Sequence, residues 1–418
     1  MVGSGRDAGS GFPFDLHRGA ERNARVRRSC AMTASPPAPA APPAPASAAR
    51  PDLAAMDRGE LEAFVQALGQ PAFRGRQLYG WIHERGAQGF GEMTDLPRAL
   101  RERLAAEARL GELDEVRRRT AGDGTIKSLF ALPSGRRVET VLIPDFEPGS
   151  AEPQTGAPRR LTVCVSSQVG CAMGCHFCAT GRMGFLENLT AGQIAAQVRR
   201  MDALARQTWG QGVTNVVYMG MGEPLQNYDA VVKSARLLTD GFGLSPRRIT
   251  VSTVGLARRI KQLADDQASG AAPPFRLAVS LHAPTDGQRS AIMPVNRSEK
   301  TDLTALREAI SHFHARTKQA VTYEYCVFEG VNDGPAEAKN LAAVTRWAPS
   351  KVNLIVYNPV AGAAAEGVPF RSPGEAQLER FIRALVREGA RVTVRRSRGQ
   401  DIEAACGQLA AADQDETP

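Results

Sequence analysis

The spacing of apolar residues changes three times along the chain, and each change marks a boundary. Residues 1–50 show no periodic apolar pattern and run into the Ala/Pro stretch ASPPAPAAPPAPASAARP. Such composition buries too little apolar surface to offset the entropy of ordering, which predicts a disordered tail. Over residues 51–112 apolar positions recur at helical spacing. LEAFVQALG stops at Gly69, and FRGRQLYGWIHERG stops at Gly86, so a small helical domain is expected. Over residues 113–159 the period drops to two. IKSLFAL and VETVLIP, joined by a PSGRR turn, predict a short antiparallel β extension, with the loop DFEPGSAEPQTGAP after it.

From residue 160 short apolar runs alternate with amphipathic segments. The runs are LTVCVSS, TNVVYMG, RITVSTVG, FRLAVSLHA, VTYEYCVFEG and KVNLIVYNP. Helical segments fall near 190–207, 228–239, 256–264, 301–317, 335–347 and 374–388. Alternation of this kind implies parallel βαβ units and an α/β class. Six units make a partial (β/α)6 TIM-like barrel. RVTVRRS adds a seventh strand and DIEAACGQLAA a last helix, so the barrel domain spans 160–411, and 412–418 form a second disordered tail. Polar residues cluster where the runs end: the cysteine loop after the first, Gly220, Gly222, Glu223 and Pro224 after the second, Ser252 and Thr253, Ser280 and His282, and Asn358 after the sixth. In a parallel barrel the strand C-termini form one mouth, where the chemistry sits.

Composition narrows the class. The chain has 418 residues, 43% of them hydrophobic and 23% charged, as in soluble globular proteins. No run of about 18 apolar residues occurs, so no transmembrane helix is expected, and residues 1–30 lack the apolar core of a secretory signal. A net charge of +8 and a pI near 9.3 favour a polyanionic partner, RNA above all, or an acidic membrane surface. Seven cysteines, three of them in one cluster, exclude a secreted disulfide framework and fit a reducing cytoplasm.

That cluster is Cys171, Cys175 and Cys178 in GCAMGCHFCATGRMG. Three thiolates on one loop can hold three corners of a 4Fe–4S cube and leave one iron open to a substrate. A three-thiolate zinc site and inert buried thiols are the rival readings. Phe177, between two of the cysteines, is placed to shield a cluster or pack on an adenine.

C-x3-C-x2-C with an aromatic before the third cysteine resembles the radical S-adenosylmethionine (SAM) superfamily, and GMGEP resembles its element for the methionine amino group. CVSSQVGCAMGCHFCATG, YMGMGEPLQNYD, ITVSTVG, LAVSLHAP, VFEGVND, VNLIVYNP and RGQDIEAACGQL together resemble the 23S rRNA adenine-C2 methyltransferases, from about residue 55 to residue 411. The resemblance implies a radical SAM barrel with a 4Fe–4S cluster on Cys171, Cys175 and Cys178. It implies SAM contacts at Gly222, Glu223, Ser252, Ser280, Leu281, His282 and Asn358. Cys406 matches the cysteine that carries a methyl group, Cys164 its disulfide partner, and Glu139 a proton acceptor. The implied reaction methylates C2 of an adenosine in the peptidyl transferase centre of 23S rRNA, and of the adenosine 3′ of the tRNA anticodon. The helical domain at 51–112 would dock the RNA, and a low-potential donor such as flavodoxin would supply electrons. A C8-specific methyltransferase conferring antibiotic resistance and a non-enzymatic metal- and RNA-binding protein are the alternatives.

Taken alone, several of these residues have ordinary readings. Cys406 on an amphipathic helix, and Cys164 and Cys326 on strands, read as small buried hydrophobes. Glu139 reads as a strand surface carboxylate, and His312 and His314 as solvated. The Arg74–Gly75–Arg76 turn and the Arg395, Arg396, Arg398 group read equally as solvated cations or phosphate contacts.

Overall fold

The computed structural model describes residues 50–111, 113–146, 156–365 and 367–410. The tails expected over 1–50 and 412–418 lie outside the described residues, Arg50 apart, as does the middle of the 145–158 loop. Fourteen strands are present among the described residues: β1 (Asp114–Thr120), β2 (Ile126–Ala131), β3 (Arg137–Asp145), β4 (Arg160–Cys164), β5 (Gln168–Cys171), β6 (Gly184–Asn188), β7 (Asn215–Tyr218), β8 (Ile249–Thr253), β9 (Arg276–Ser280), β10 (Val321–Val327), β11 (Ser350–Val356), β12 (Ala364–Ala365), β13 (Val368–Pro369) and β14 (Val392–Arg395). Ten form one sheet in the order β1-β2-β3-β4-β7-β8-β9-β10-β11-β14.

The six expected barrel strands are β4 and β7 through β11, all parallel. The seventh, β14, joins β11 in parallel. The extension attaches antiparallel to the free edge of β4, where Cys164 faces Val141. β1 and β14 stand at opposite ends of the order, so the barrel is open. Crossover helices lie where the periodicity puts them, among them Ala191–Trp209, Tyr228–Asp240 and Leu303–Thr317. Ala191–Trp209 is bounded by a Thr190/Gln193 capping box and a left-handed Gly210, each closing otherwise orphaned backbone groups. Its buried Gln197 bridges to the site: Oε1 accepts from Thr140 Oγ1 and Ser166 N–H, both at 2.8 Å, and Nε2 donates to Ser166 O at 2.9 Å.

One apolar core runs through the extension and barrel. A second, containing Leu61, Val65, Leu78, Ile82, Leu100 and Leu104, belongs to the helices of 51–111.

Three local expectations are corrected. The extension has three strands, because β1 pairs with β2; its sequence DEVRRRT hides the alternation, since it is an edge strand exposed along most of its length. Arg74–Gly75–Arg76 is no turn but part of the helix Phe73–Tyr79. Arg76 pairs with Glu62 at 3.2 Å, and a Cβ on Gly75 would stand 2.5 Å from the Glu62 backbone, so the glycine serves helix–helix approach. Finally, DIEAACGQLAA is not a helix. A single 3₁₀ turn, Gln400–Ile402, is followed by irregular chain with Glu403 and Gly407 at positive φ. These left-handed residues break any continuing helix.

Candidate active site

The cysteine loop begins at β5 and returns through β6. Gly170, at φ +70°, lets the two strands touch: a Cβ there would lie 1.9 Å from the Gly184 carbonyl oxygen. A Cβ on Gly181 would stand 3.0 Å from the Cys175 backbone N and O, so its absence lets the short helix Ala179–Arg182 lie against the loop. Cys171 and Cys175 are buried and Cys178 half-buried. All three line one cavity of about 930 Å³, counting its open mouth. Burial pushes the Cys171 thiol up to about 12 and raises those of Cys175 and Cys178. Holding them as thiolates therefore requires cationic compensation at the site, which the irons of a bound cluster would provide. Among the described residues no three His, Cys, Asp or Glu side chains gather round a point able to hold a single ion. A zinc ion needs its thiolates within about 2.3 Å of one centre, whereas a cube takes each thiolate on a different iron.

The loop after β7 forms the opposite wall. Gly222 sits at φ +99°, and a Cβ there would meet Gln168 Cβ at 2.5 Å. Ser166 Oγ donates to Glu139 O at 2.6 Å and accepts from Met221 N–H at 3.0 Å, which binds this loop to the segment after β4. Glu223 is 2% exposed yet lines the cavity. Its carboxylate accepts from Leu225 N–H at 2.9 Å and Val254 N–H at 2.8 Å. Burial outweighs these bonds and raises its pKa to about 7. Ser252 and Ser280, whose hydroxyls are 3.4 Å apart, and His282 line the same cavity. His282 Nδ1 accepts from Cys326 N–H at 3.0 Å, which leaves Nε2 to carry the ring hydrogen. Burial holds the imidazole neutral, with its pKa lowered to about 3. Phe177 meets the His282 ring edge-on, centroids 4.8 Å apart.

Cys406 and Gly407 close the cavity. Cys406 also walls a smaller cavity of about 400 Å³ that it shares with Cys164 and Arg395. Both cysteines are free thiols, so the implied disulfide is not formed in this structure. Burial, with the nearby Cys406, pushes the Cys164 thiol up to about 12, and Arg395 acts against that shift. Leu281 is fully buried, and Asn358 donates to Cys406 O at 3.2 Å and accepts from Gln400 at 2.9 Å; neither is among the residues lining the large cavity. Glu139 is also set back. It is buried, pairs with Lys127 at 3.0 Å and accepts from Ala410 N–H at 3.0 Å. It is thus not the exposed strand carboxylate that its sequence position alone suggests.

Two residues escaped the sequence reading. Cys326 reads as an inert strand thiol but lines the cavity and fixes the His282 tautomer through its N–H. Arg289, fully buried, donates to Asn296, to Thr301 O and to Val254 O, so it stiffens the strand end that holds Glu223. Neither lies in a distinctive motif, and only the topology brings them here. Of the remaining candidates, His312 sits 3.0 Å from Asp265, His314 bonds Gln319 O at 2.9 Å, and Arg398 approaches Asp145 at 4.0 Å.

Comparison with known proteins agrees with this arrangement. Residues 51–110 match the family described as the ribosomal RNA large subunit methyltransferase N-terminal domain, and residues 165–342 match the radical SAM superfamily. A probable dual-specificity RNA methyltransferase RlmN of Salinibacter ruber is 56% identical over 363 residues, 86% of this chain and 94% of that protein. A dual-specificity RNA methyltransferase RlmN of Anaeromyxobacter sp. (strain Fw109-5) is 43% identical over 87% of this chain and 91% of its own length. The crystal structure of a radical SAM methyltransferase from Sphaerobacter thermophilus superposes with a TM-score of 0.78 at 43% identity, over 87% of this chain and all of that one. Likeness of this depth, spanning both the helical region and the barrel, assigns the family: the chain belongs to the RlmN dual-specificity RNA methyltransferases of the radical SAM superfamily.

Proposed function

We propose that the chain methylates C2 of an adenosine in the peptidyl transferase centre of 23S rRNA, and C2 of the adenosine 3′ of the tRNA anticodon. The observation that carries this reading is one cavity lined at once by Cys171, Cys175, Cys178, Glu223 and Cys406. When bound, the 4Fe–4S cluster and SAM that belong to this superfamily supply a 5′-deoxyadenosyl radical, which adenine C2 needs because it is not nucleophilic.

In this reading Cys171, Cys175 and Cys178 hold the cluster. Glu223 and neighbouring backbone carbonyls receive the SAM ammonium, and Gly222, Ser252, Ser280 and neutral His282 shape the rest of its site. Leu281 and Asn358 complete that site from behind, Leu281 by packing and Asn358 by fixing the Cys406 carbonyl. Cys406 is the nucleophile that takes and carries the methyl group. Glu139 is the base for the C2 proton. The Cys164 thiolate then bonds to the Cys406 sulfur, the electron pair of the broken sulfur–carbon bond passes to the ring-bound carbon, and a proton taken up there completes the methyl group as the product base is released. That both thiols line one small cavity supports this pairing.

The target base must be unstacked, so RNA loops are the accessible substrates. The helices of 51–111 are the region for docking RNA through phosphate contacts. Flavodoxin fits the need for a low-potential donor. Six free cysteines among the described residues suit a reducing cytoplasm, and no described helix is long and apolar enough to cross a membrane.

The test is mass spectrometry of RNA after turnover. The wild type should yield 2-methyladenosine and not 8-methyladenosine. Cys406→Ala should yield neither while keeping the cluster absorbance, and Cys164→Ala should accumulate a covalent protein–RNA adduct. Methylation by Cys406→Ala would refute the carrier role.

A further inference from the structure

The segment 399–410, which carries Cys406, has only one 3₁₀ turn of its own and is held from two sides. On the barrel side, Ala179 N–H donates to Gly407 O at 2.8 Å, Thr180 Oγ1 donates to Leu409 O, and Asn358 holds Cys406 O. On the other side the β extension supplies four bonds. Gly122 N–H donates to Asp401 Oδ2 at 2.9 Å, and Gly399 N–H donates to Asp123 Oδ2 at 3.0 Å. The β1–β2 turn and the segment thus exchange reciprocal aspartate-to-backbone bonds. Lys127 Nζ donates to Glu403 O at 3.1 Å, and Ala410 N–H donates to Glu139 Oε2 at 3.0 Å. Gly399 permits the close approach: at φ +64°, a Cβ there would lie 2.8 Å from both Ala404 Cβ and Thr125 Cγ2.

We propose that the β extension is a latch that fixes where Cys406 stands, with Asp123 and Asp401 as its positioning residues. The latch rests on the carrier role of Cys406 given above. Without these bonds an irregular segment pays more of the entropy of ordering itself, and Cys406 is held from the barrel side alone. Hydrogen bonds from a backbone N–H to a carboxylate are the stronger kind. All four latch bonds use a side chain rather than a strand ladder, so they can open and close without unpairing the sheet. That matters because Cys406 walls two cavities, one with the cluster cysteines and one with Cys164, and the carrier must serve both.

The test compares the cluster-loaded wild type with Asp123→Ala/Asp401→Ala under anaerobic conditions. Three quantities are read: hydrogen exchange of peptides covering 399–410, iodoacetamide labelling of Cys406, and kcat against KM for RNA. The latch predicts exchange and labelling faster by about tenfold or more, and kcat lower by a similar factor. Iron content should be unchanged and KM within about twofold. Asp123→Asn, which keeps an acceptor, should recover most of the loss. Wild-type exchange and labelling in the double variant would overturn the proposal. Should that variant not fold, Asp123→Ala alone is read in the same way. Failure of the carrier reading shows separately, as methylation by Cys406→Ala, and the exchange of 399–410 decides the latch in either case.

Discussion

Glu223 accepts two backbone N–H bonds, yet burial still holds its carboxyl near about 7. The sign has two consequences. Because the folded value lies above the ordinary 4.5, its contribution to stability is full below pH 4.5 and is lost as pH rises through about 7. Binding an ammonium runs the other way, since it requires the ionised carboxylate. SAM affinity should therefore fall as pH drops below about 7, approaching tenfold per unit, and Glu223→Gln should bind weakly with a flat profile. Calorimetry between about pH 8 and about pH 6 checks this, and a flat wild-type profile would contradict it. At this scale the sequence was legible wherever chemistry needs an unusual residue in a tight motif, as at the three cysteines and Glu223. It was silent at Cys326 and Arg289, whose surroundings on a strand and a helix look like any core. It misjudged the setting of Cys406, which lies on an irregular segment pinned by distant residues.

The β5–β6 hairpin shows how one element carries the site. Gly170 and Gly184 both have positive φ, +70° and +71°, but only Gly170 lacks room for a Cβ. Gly184→Ala should cost roughly 1–2 kcal/mol of backbone strain and retain iron. Gly170→Ala adds a collision with the Gly184 carbonyl, should destabilise by at least about 3 kcal/mol, and should lose most of its iron. Denaturant midpoints and iron analysis of the two variants test the difference; equal iron contents would contradict it. The barrel strands and crossover helices were readable because each has one buried face with period two or 3.6. β1 was not, because an exposed edge strand has no such face, and the final segment was misread because its shape comes from bonds to β1–β3 rather than from its own pattern.

In the whole molecule, the helices of 51–111 meet the barrel through both buried and exposed contacts. Buried His83 packs where a Cβ on Gly241 would come within 2.4 Å of its own Cβ, and at the surface Lys233 pairs with Glu60 at 2.7 Å. Burial, reinforced by Arg199, lowers the His83 pKa from 6.5 to about 3. A depressed histidine contributes stability above pH 6.5 that is lost as pH falls toward about 3. Lowering the pH from about 7 to about 4 should therefore reduce the protection of amides along this seam relative to their intrinsic exchange rates at each pH, and His83→Gln, which cannot charge, should show a weaker pH response. Equal responses would contradict this. The order of the regions was plain from the sequence, but the seam was not, since it joins residues far apart in the chain with no shared motif. All of the chemistry proposed here depends on a cluster with one open iron. The measurement that tests it most directly is iron and sulfide analysis of the anaerobically purified chain, with electron paramagnetic resonance of the reduced protein before and after adding SAM. The expected result is about four irons and four sulfides per chain and a signal that changes when SAM is added. Zinc in place of iron, or a cluster signal indifferent to SAM, would contradict it.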